Sequence, residues 1–159
     1  MKEGGAYGGR LEAQWRSPDA YPFMTEVPLR WSDLDMFQHV NNVKIALLYE
    51  EVRVRLMEAI EAGLPQPFER IRRVVADVRI QYLGEVFYPA PVRVGGRVAA
   101  VGSSSYRLSM AMFQNDICVG ACDTVFVHFD GGRSLPLPDA WRRSLAVLAR
   151  CDEPAAALA

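Results

Sequence analysis

Apolar residues recur at three- and four-residue intervals through the middle of the first half of the chain: Ile45, Leu48, Tyr49, Val52, Leu56, Ala59 and Ile60. That spacing lays one stripe along an α-helix and predicts a single long helix over about residues 40–62. Gly63, with Pro65 and Pro67 behind it, stops the helix. Its other face carries Lys44, Glu51, Arg55, Glu58 and Ala62, with Glu51 and Arg55 at pairing distance along the helix. Residues 24–31 alternate loosely, as a half-buried strand does. At about 71–83 a second strand is predicted, where Val74, Ala76, Val78 and Ile80 alternate with Val75, Asp77, Arg79 and Gln81. A turn-rich segment from Gly84 to Pro91 follows, then strands near 92–101, 104–114 and 117–129. These last three are separated by Gly102-Ser103-Ser104 and by Asn115-Asp116, the latter reading as a tight hairpin. Past the turn at Asp130-Gly131-Gly132, residues 139–145 predict a short helix capped near Asp139. The sum is an α+β domain, one long helix against a largely antiparallel sheet, with an edge strand that dimerisation could pair.

Composition narrows the setting. The 159 residues suffice for one domain, half of them are hydrophobic and 23% are charged, as in ordinary globular proteins. A formal net charge of −1 gives no bulk attraction to nucleic acid or to an anionic membrane. No apolar run is long enough to span a bilayer, and the first residues lack the apolar core of a signal peptide, so the cytoplasm is the expected location. Glycines, prolines and weak periodicity mark residues 1–22 as a flexible leader and 151–159 as a flexible tail, leaving 23–150 as the folded domain. The three cysteines form no disulfide framework: Cys118 and Cys122 would lie about 13 Å apart along one strand. They are expected as reduced thiols.

Chemistry concentrates in residues 30–42, Arg-Trp-Ser-Asp-Leu-Asp-Met-Phe-Gln-His-Val-Asn-Asn. Asp33, Asp35 and His39 fall where a strand gives way to the long helix. Backbone N–H groups are unpaired there and the helix dipole is positive, which suits polarisation of a carbonyl. Asn41 and Asn42 are good N-cap residues, and Asp33 is the residue type that orders a loop through nearby amides. Asp33, Asp35 and His39 are also potential metal ligands, but His128 is the sole downstream candidate for a fourth and sits in a strand; no metal is expected.

The signature Asp33-x-Asp35-x-x-x-His39-Val40-Asn41-Asn42, with Tyr49-Glu50-Glu51 midway along the helix and the order of elements over residues 24–145, resembles the hot-dog-fold acyl thioesterases, and most of all their 4-hydroxybenzoyl-CoA thioesterase-like branch. Residues 31–44 also resemble plant-type acyl-carrier-protein thioesterases. Those carry two hot-dog units in one chain, whereas this one has room for one, so a homodimer or homotetramer is expected. The resemblance implies hydrolysis of an acyl-CoA or acyl-carrier-protein thioester at a subunit interface. It implies Asp35 as the catalytic carboxylate, nucleophile or general base. It also implies the Asn42 backbone N–H as donor to the developing oxyanion, and His39 as an auxiliary. Asn41, Val43 and Tyr49 would then border the substrate, and no cofactor is needed. Another hot-dog branch places its carboxylate on the central helix, where Glu50 and Glu51 stand here. The rival activities are a hot-dog dehydratase, which leaves the thioester intact, and a non-catalytic acyl-thioester binder.

Overall fold

The computed structural model of the protein describes residues 11–65 and 71–149. In chain order the elements are β1 (Phe23–Val27), α1 (Asn42–Ala62), β2 (Arg73–Tyr82), β3 (Val92–Val101), β4 (Ser105–Gln114), β5 (Ile117–Asp130), β6 (Arg133–Ser134) and α2 (Asp139–Val147). Short 3-10 turns occupy Ala13–Arg16, Pro18–Ala20 and Trp31–Asp33. The sheet runs β1-β3-β4-β5-β2, with β6 paired to β5 outside that path, and every pairing is antiparallel. This is the α+β arrangement that the patterning predicts. No helix among the described residues is long and apolar enough to cross a membrane.

Helix α1 is 21 residues long, about 32 Å at 1.5 Å per residue. It starts at Asn42 because Asn41 takes the N-cap: the Val43 N–H donates to Asn41 Oδ1 at 2.8 Å. The predicted stripe is buried, except that Met57 takes the place given to Ala59, which is exposed. It packs on Val94, Val98, Tyr106, Leu108, Met110 and Met112 of the sheet, each such apolar side chain contributing about 1.5–3 kcal/mol by leaving water. Gly63 closes the helix in the right-handed region, and its lack of a side chain serves packing, since a Cβ there would come within 2.9 Å of Ser144 Oγ on α2. The α2 N-cap is Pro138 rather than Asp139; Asp139 lies in the first turn, where its charge meets the positive end of the dipole. Asn115 and Asp116 turn the β4–β5 hairpin with φ of 51° and 64°, the left-handed pair that a two-residue hairpin of the favoured twist requires.

The expected flexible leader is corrected over its described part. Residues 11–22 form a strap across the outer face of the sheet, burying Trp15, Ala20 and Tyr21 against Ala111 and Phe113. The Tyr21 hydroxyl donates to the Trp15 carbonyl at 2.8 Å, the Leu11 N–H donates to Gln81 Oε1 at 3.2 Å, and the Arg97 guanidinium lies 3.4 Å from the Trp15 ring centroid. Single aromatic anchors hold this segment, so no repeating apolar face announces it. The packed part of the chain therefore takes in residues 11–22, which a boundary at residue 23 leaves out; residues 1–10 and the predicted tail 151–159 lie outside the described residues. Gly95 and Gly96 make room on opposite faces of β3. A Cβ at Gly95 would stand 2.5 Å from the Tyr21 ring, and one at Gly96 would stand 2.7 Å from Leu56 of α1.

Candidate active site

The signature residues form a tight loop between β1 and α1. Asp33 ties its two ends together. The Asp33 carboxylate accepts the Arg30 N–H at 2.8 Å, its carbonyl accepts the Asn41 N–H at 2.8 Å, and Lys44 Nζ stands 4.0 Å away. Asp33 is buried, so its role is to order the loop. Inside that clasp Leu34 and Val40 form a β-bridge. The Gln38 N–H donates to the Asp35 carbonyl at 3.1 Å, and Gln38 sits at φ 64°, a conformation that costs a residue bearing a Cβ about 1–2 kcal/mol.

Asp35 occupies the neck of the loop. Its N–H donates to the His39 carbonyl at 2.8 Å. Its Oδ1 accepts the N–H groups of Phe37, at 2.8 Å, and of His39, at 3.3 Å. This Asx geometry fixes the carboxylate without any cation, and Oδ2 accepts no hydrogen bond from the described residues. A carboxylate so held presents one oxygen in a set direction, as attack on a carbonyl or proton abstraction from water requires.

The His39 imidazole meets the β2–β3 connection. Its Nδ1 lies 3.5 Å from Glu85 Oε1, and its ring meets Phe87 edge-to-face with centroids 5.1 Å apart. The connection is firmly seated. The Leu83 and Gly84 N–H groups both donate to the Val119 carbonyl at 3.0 Å, and the Val40 N–H donates to the Val86 carbonyl at 2.8 Å. Buried Gln114 clamps the far side: its Oε1 accepts the Phe87 N–H at 2.9 Å, while its Nε2 donates to the Phe87 and Ala90 carbonyls at 2.7 and 2.8 Å. Glu85, Phe87 and Gln114 were not among the sequence candidates. The available signal was a lone acidic residue among the apolar and turn residues of 84–91.

At the helix start, Asn41 commits its side-chain oxygen to the cap, which fits a structural rather than a substrate-binding role. The first helical bond joins the Ile45 N–H to the Asn41 carbonyl at 3.0 Å, so the Asn42 amide precedes the ladder and is one of the donors that a helix leaves over. Asn42 and Val43 are exposed, and the Tyr82 hydroxyl donates to the Asn42 carbonyl at 3.3 Å. Tyr49 corrects the expectation of substrate contact. It is 1% exposed, and its hydroxyl is wedged against β5, where a Cβ on Gly120 would come within 2.8 Å of it. Glu50 and Glu51 pair with Arg53 and Arg55 on their own helix.

Two cavities lie on either side of α1. One of about 480 Å³ is lined by Arg53, Met57, Glu61, Arg73 and Phe126, and one of about 260 Å³ by Arg30, Asp33, Lys44, Leu47 and Arg55, among others, and both open to solvent. Neither is lined by Asp35 or His39. The loop instead stands on an open surface with Trp31, Met36 and Phe37 at least 70% exposed. Among the described residues no three His, Cys, Asp or Glu side chains converge as a metal set.

A family model described as the thioesterase-like superfamily matches residues 29–145. The uncharacterised YsmA protein of Bacillus subtilis (strain 168) is 28% identical over 135 residues, which is 83% of this chain and 89% of its own length. Among solved structures, a thioesterase of Thermus thermophilus complexed with coenzyme A and zinc is 30% identical with a TM-score of 0.69, over 80% of this chain and 94% of that one. The PA5185 protein of Pseudomonas aeruginosa PAO1 is 27% identical with a TM-score of 0.69, over 86% of this chain and 98% of its own.

Proposed function

From the premise that this chain belongs to the thioesterase-like superfamily and has its hot-dog fold, we propose that it hydrolyses an acyl-CoA or acyl-carrier-protein thioester to a carboxylic acid and a free thiol. The observation that carries this reading is the Asp35 carboxylate, held at Oδ1 by two amides with Oδ2 left open. Asp35 acts as nucleophile on the thioester carbonyl or as general base toward water. The Asn42 amide, at the positive end of α1, receives the negative charge that develops on the carbonyl oxygen. A thiolate leaves readily, so the reaction asks less of a general acid than amide hydrolysis does. The exposed Trp31, Met36 and Phe37 supply apolar surface for an acyl group, and coenzyme A as the thiol is supported by the thioesterase structure that contains it.

The acting form in this reading is a homo-oligomer of single domains. In one chain neither Asp35 nor His39 lines the two cavities beside α1, and the edge strand β2 leaves apolar side chains uncovered on the face that looks toward the core. Val75, Val78 and Tyr82 pair with Phe126, Thr124 and Gly120 of β5, all three buried, yet are themselves 45–51% exposed. A second copy would cover them and supply the missing wall.

Thiol release from short, long and aryl acyl-CoAs by the wild type and by Asp35→Asn tests the assignment. A fall of about a hundredfold in kcat/KM, roughly 2.7 kcal/mol of transition-state stabilisation, is expected. Undiminished turnover by Asp35→Asn would remove Asp35 from the mechanism. Ligand binding without thiol release from any thioester would favour a binder or a dehydratase.

A further inference from the structure

We propose that Glu85 is a positioning residue for His39, holding its imidazole as the Nδ1–H tautomer and leaving Nε2 as the acceptor nitrogen. The inference rests on the reading of the Asp35 loop as the thioester site, but its physical basis is independent of turnover. Both partners are held at the backbone. His39 is gripped through its N–H and its carbonyl by Asp35. Glu85 lies between Gly84, bonded to Val119, and Val86, whose carbonyl receives the Val40 N–H. The Gln114 clamp on Phe87 and Ala90 then fixes the remainder of the connection. Phe87 in turn sets the plane of the imidazole, at 88° to its own ring. With the ring so placed, Glu85 stands at Nδ1 and Phe87 meets the ring edge-to-face, both from the β2–β3 connection.

A carboxylate oxygen accepts hydrogen bonds, so Glu85 Oε1, 3.5 Å from Nδ1, favours the tautomer with the proton on that nitrogen. An imidazole without such a partner favours the opposite tautomer, with hydrogen on Nε2. Glu85 thereby decides whether His39 meets the site as an acceptor or as a donor. A bare Nε2 accepts a hydrogen bond from the attacking water or from the pantetheine amide of the substrate, whereas Nε2–H would compete with the Asn42 amide for the carbonyl oxygen. Glu85 touches no reacting atom in this scheme; it acts through the ring.

The chain has two histidines, which makes the test direct. The second, His128, sets its Nδ1 2.8 Å from the Pro136 carbonyl. That oxygen only accepts, so His128 is a built-in reference for the Nδ1–H state. Imidazole ¹⁵N spectra of the full chain, assigned with His128→Gln and taken at a pH where both rings are neutral, should show Nδ1–H at His39 as well. Glu85→Ala should move His39 toward Nε2–H and lower kcat about tenfold with little change in KM. Glu85→Gln, whose side-chain oxygen also accepts, should keep the tautomer and most of the rate. A wild-type His39 already in the Nε2–H form, or a tautomer unchanged by Glu85→Ala, would overturn the proposal. Thiol release is a separate readout. A wild type that hydrolyses no thioester yet shows the tautomer shift would overturn the enzymatic reading and leave the Glu85–His39 pairing standing.

Discussion

Asp35 and His39 grip one another through two hydrogen bonds of opposite direction: the Asp35 N–H donates to the His39 carbonyl at 2.8 Å, and the His39 N–H donates to Asp35 Oδ1 at 3.3 Å. The candidate catalytic carboxylate is therefore also the residue that shapes its own loop. Stability and activity can be separated at this position. Asp35→Asn keeps an oxygen for the Phe37 and His39 amides and should melt within about 1 °C of the wild type while losing thiol release. Asp35→Ala frees both amides and should cost about 1 kcal/mol as well. Urea denaturation of the two variants checks this, and equal stability of Asn and Ala would mean that the Asx geometry contributes nothing.

The Asn41 side chain caps α1 at 2.8 Å from the Val43 amide. Asn41→Ala should lower the urea midpoint by an amount equal to about 1 kcal/mol at unchanged m-value, with Asn41→Asp recovering it. Because the side chain is assigned to the cap, KM for the preferred thioester should stay within about twofold in Asn41→Asp. A much larger rise would return Asn41 to the substrate contacts.

Tyr49 and Gly120 form a lock-and-notch between α1 and β5. A Cβ at Gly120 would come within 2.8 Å of the Tyr49 hydroxyl and 3.3 Å of the Gln81 carbonyl. Gly120→Ala should therefore cost about 1–3 kcal/mol by overpacking. Tyr49→Phe removes the obstructing oxygen and should recover part of that loss in the double variant. The cycle of the four proteins by denaturant titration measures the coupling, and additive effects would show that the two residues do not meet. Tyr49→Phe alone should leave KM unchanged, as befits a core residue.

What the sequence displays, and what it hides, follows from how far apart the partners stand. The long helix is legible because seven apolar residues mark one face of a single segment, and the β4–β5 hairpin because Asn115 and Asp116 both tolerate the left-handed region. The Asp35 loop is legible because the hydrogen bonds of Asp35 itself close within four residues. Gln114 is 27 residues from the Phe87 backbone it clamps, and no local pattern joins them. Glu85 is hidden for the same reason: only the seating of the β2–β3 connection on Val119 and Val40 brings it to His39. The strap shows no periodicity because Trp15 and Tyr21 anchor it one ring at a time. Tyr49 misled in the other direction. It adjoins the acidic pair of the signature, yet it is also a member of the apolar stripe, and burial decided its place.

Burial gives the protein a pH limit on the alkaline side. The Cys122 thiol, 1% exposed, is pushed up from 9.0 to about 11, chiefly by desolvation. Cys118 is also raised, again chiefly by desolvation. The unfolded chain releases these protons first, so their contribution is fully present below pH 9 and is lost as pH rises toward 11. For Cys122 alone the loss is on the order of 2 kcal/mol. The unfolding free energy should fall steadily across that window, and Cys122→Ala should flatten the fall. Native Cys122 should also resist alkylation at pH 8 and react once the chain is unfolded in urea, read by peptide mass mapping. Rapid native labelling would contradict the burial.

The uncovered face of β2 bears on whether the site is complete in one chain. Val78 is 45% exposed, although it lies across from Thr124, which is wholly buried. Leaving valines so placed on an edge strand invites pairing with another chain. Light scattering should give the wild type at least twice the mass of one chain. Val78→Asp puts a charge where a second copy would bury it, at a cost of several kcal/mol if it stays ionised there. That variant should run as a single chain with an unchanged far-ultraviolet circular dichroism spectrum, since Val78 is 45% exposed within one chain. Thiol release should fall along with the mass if, as proposed, the second copy completes the site beside Asp35. A wild type that is active at the mass of one chain would show instead that the open surface around Asp35, Trp31 and Phe37 is the whole site.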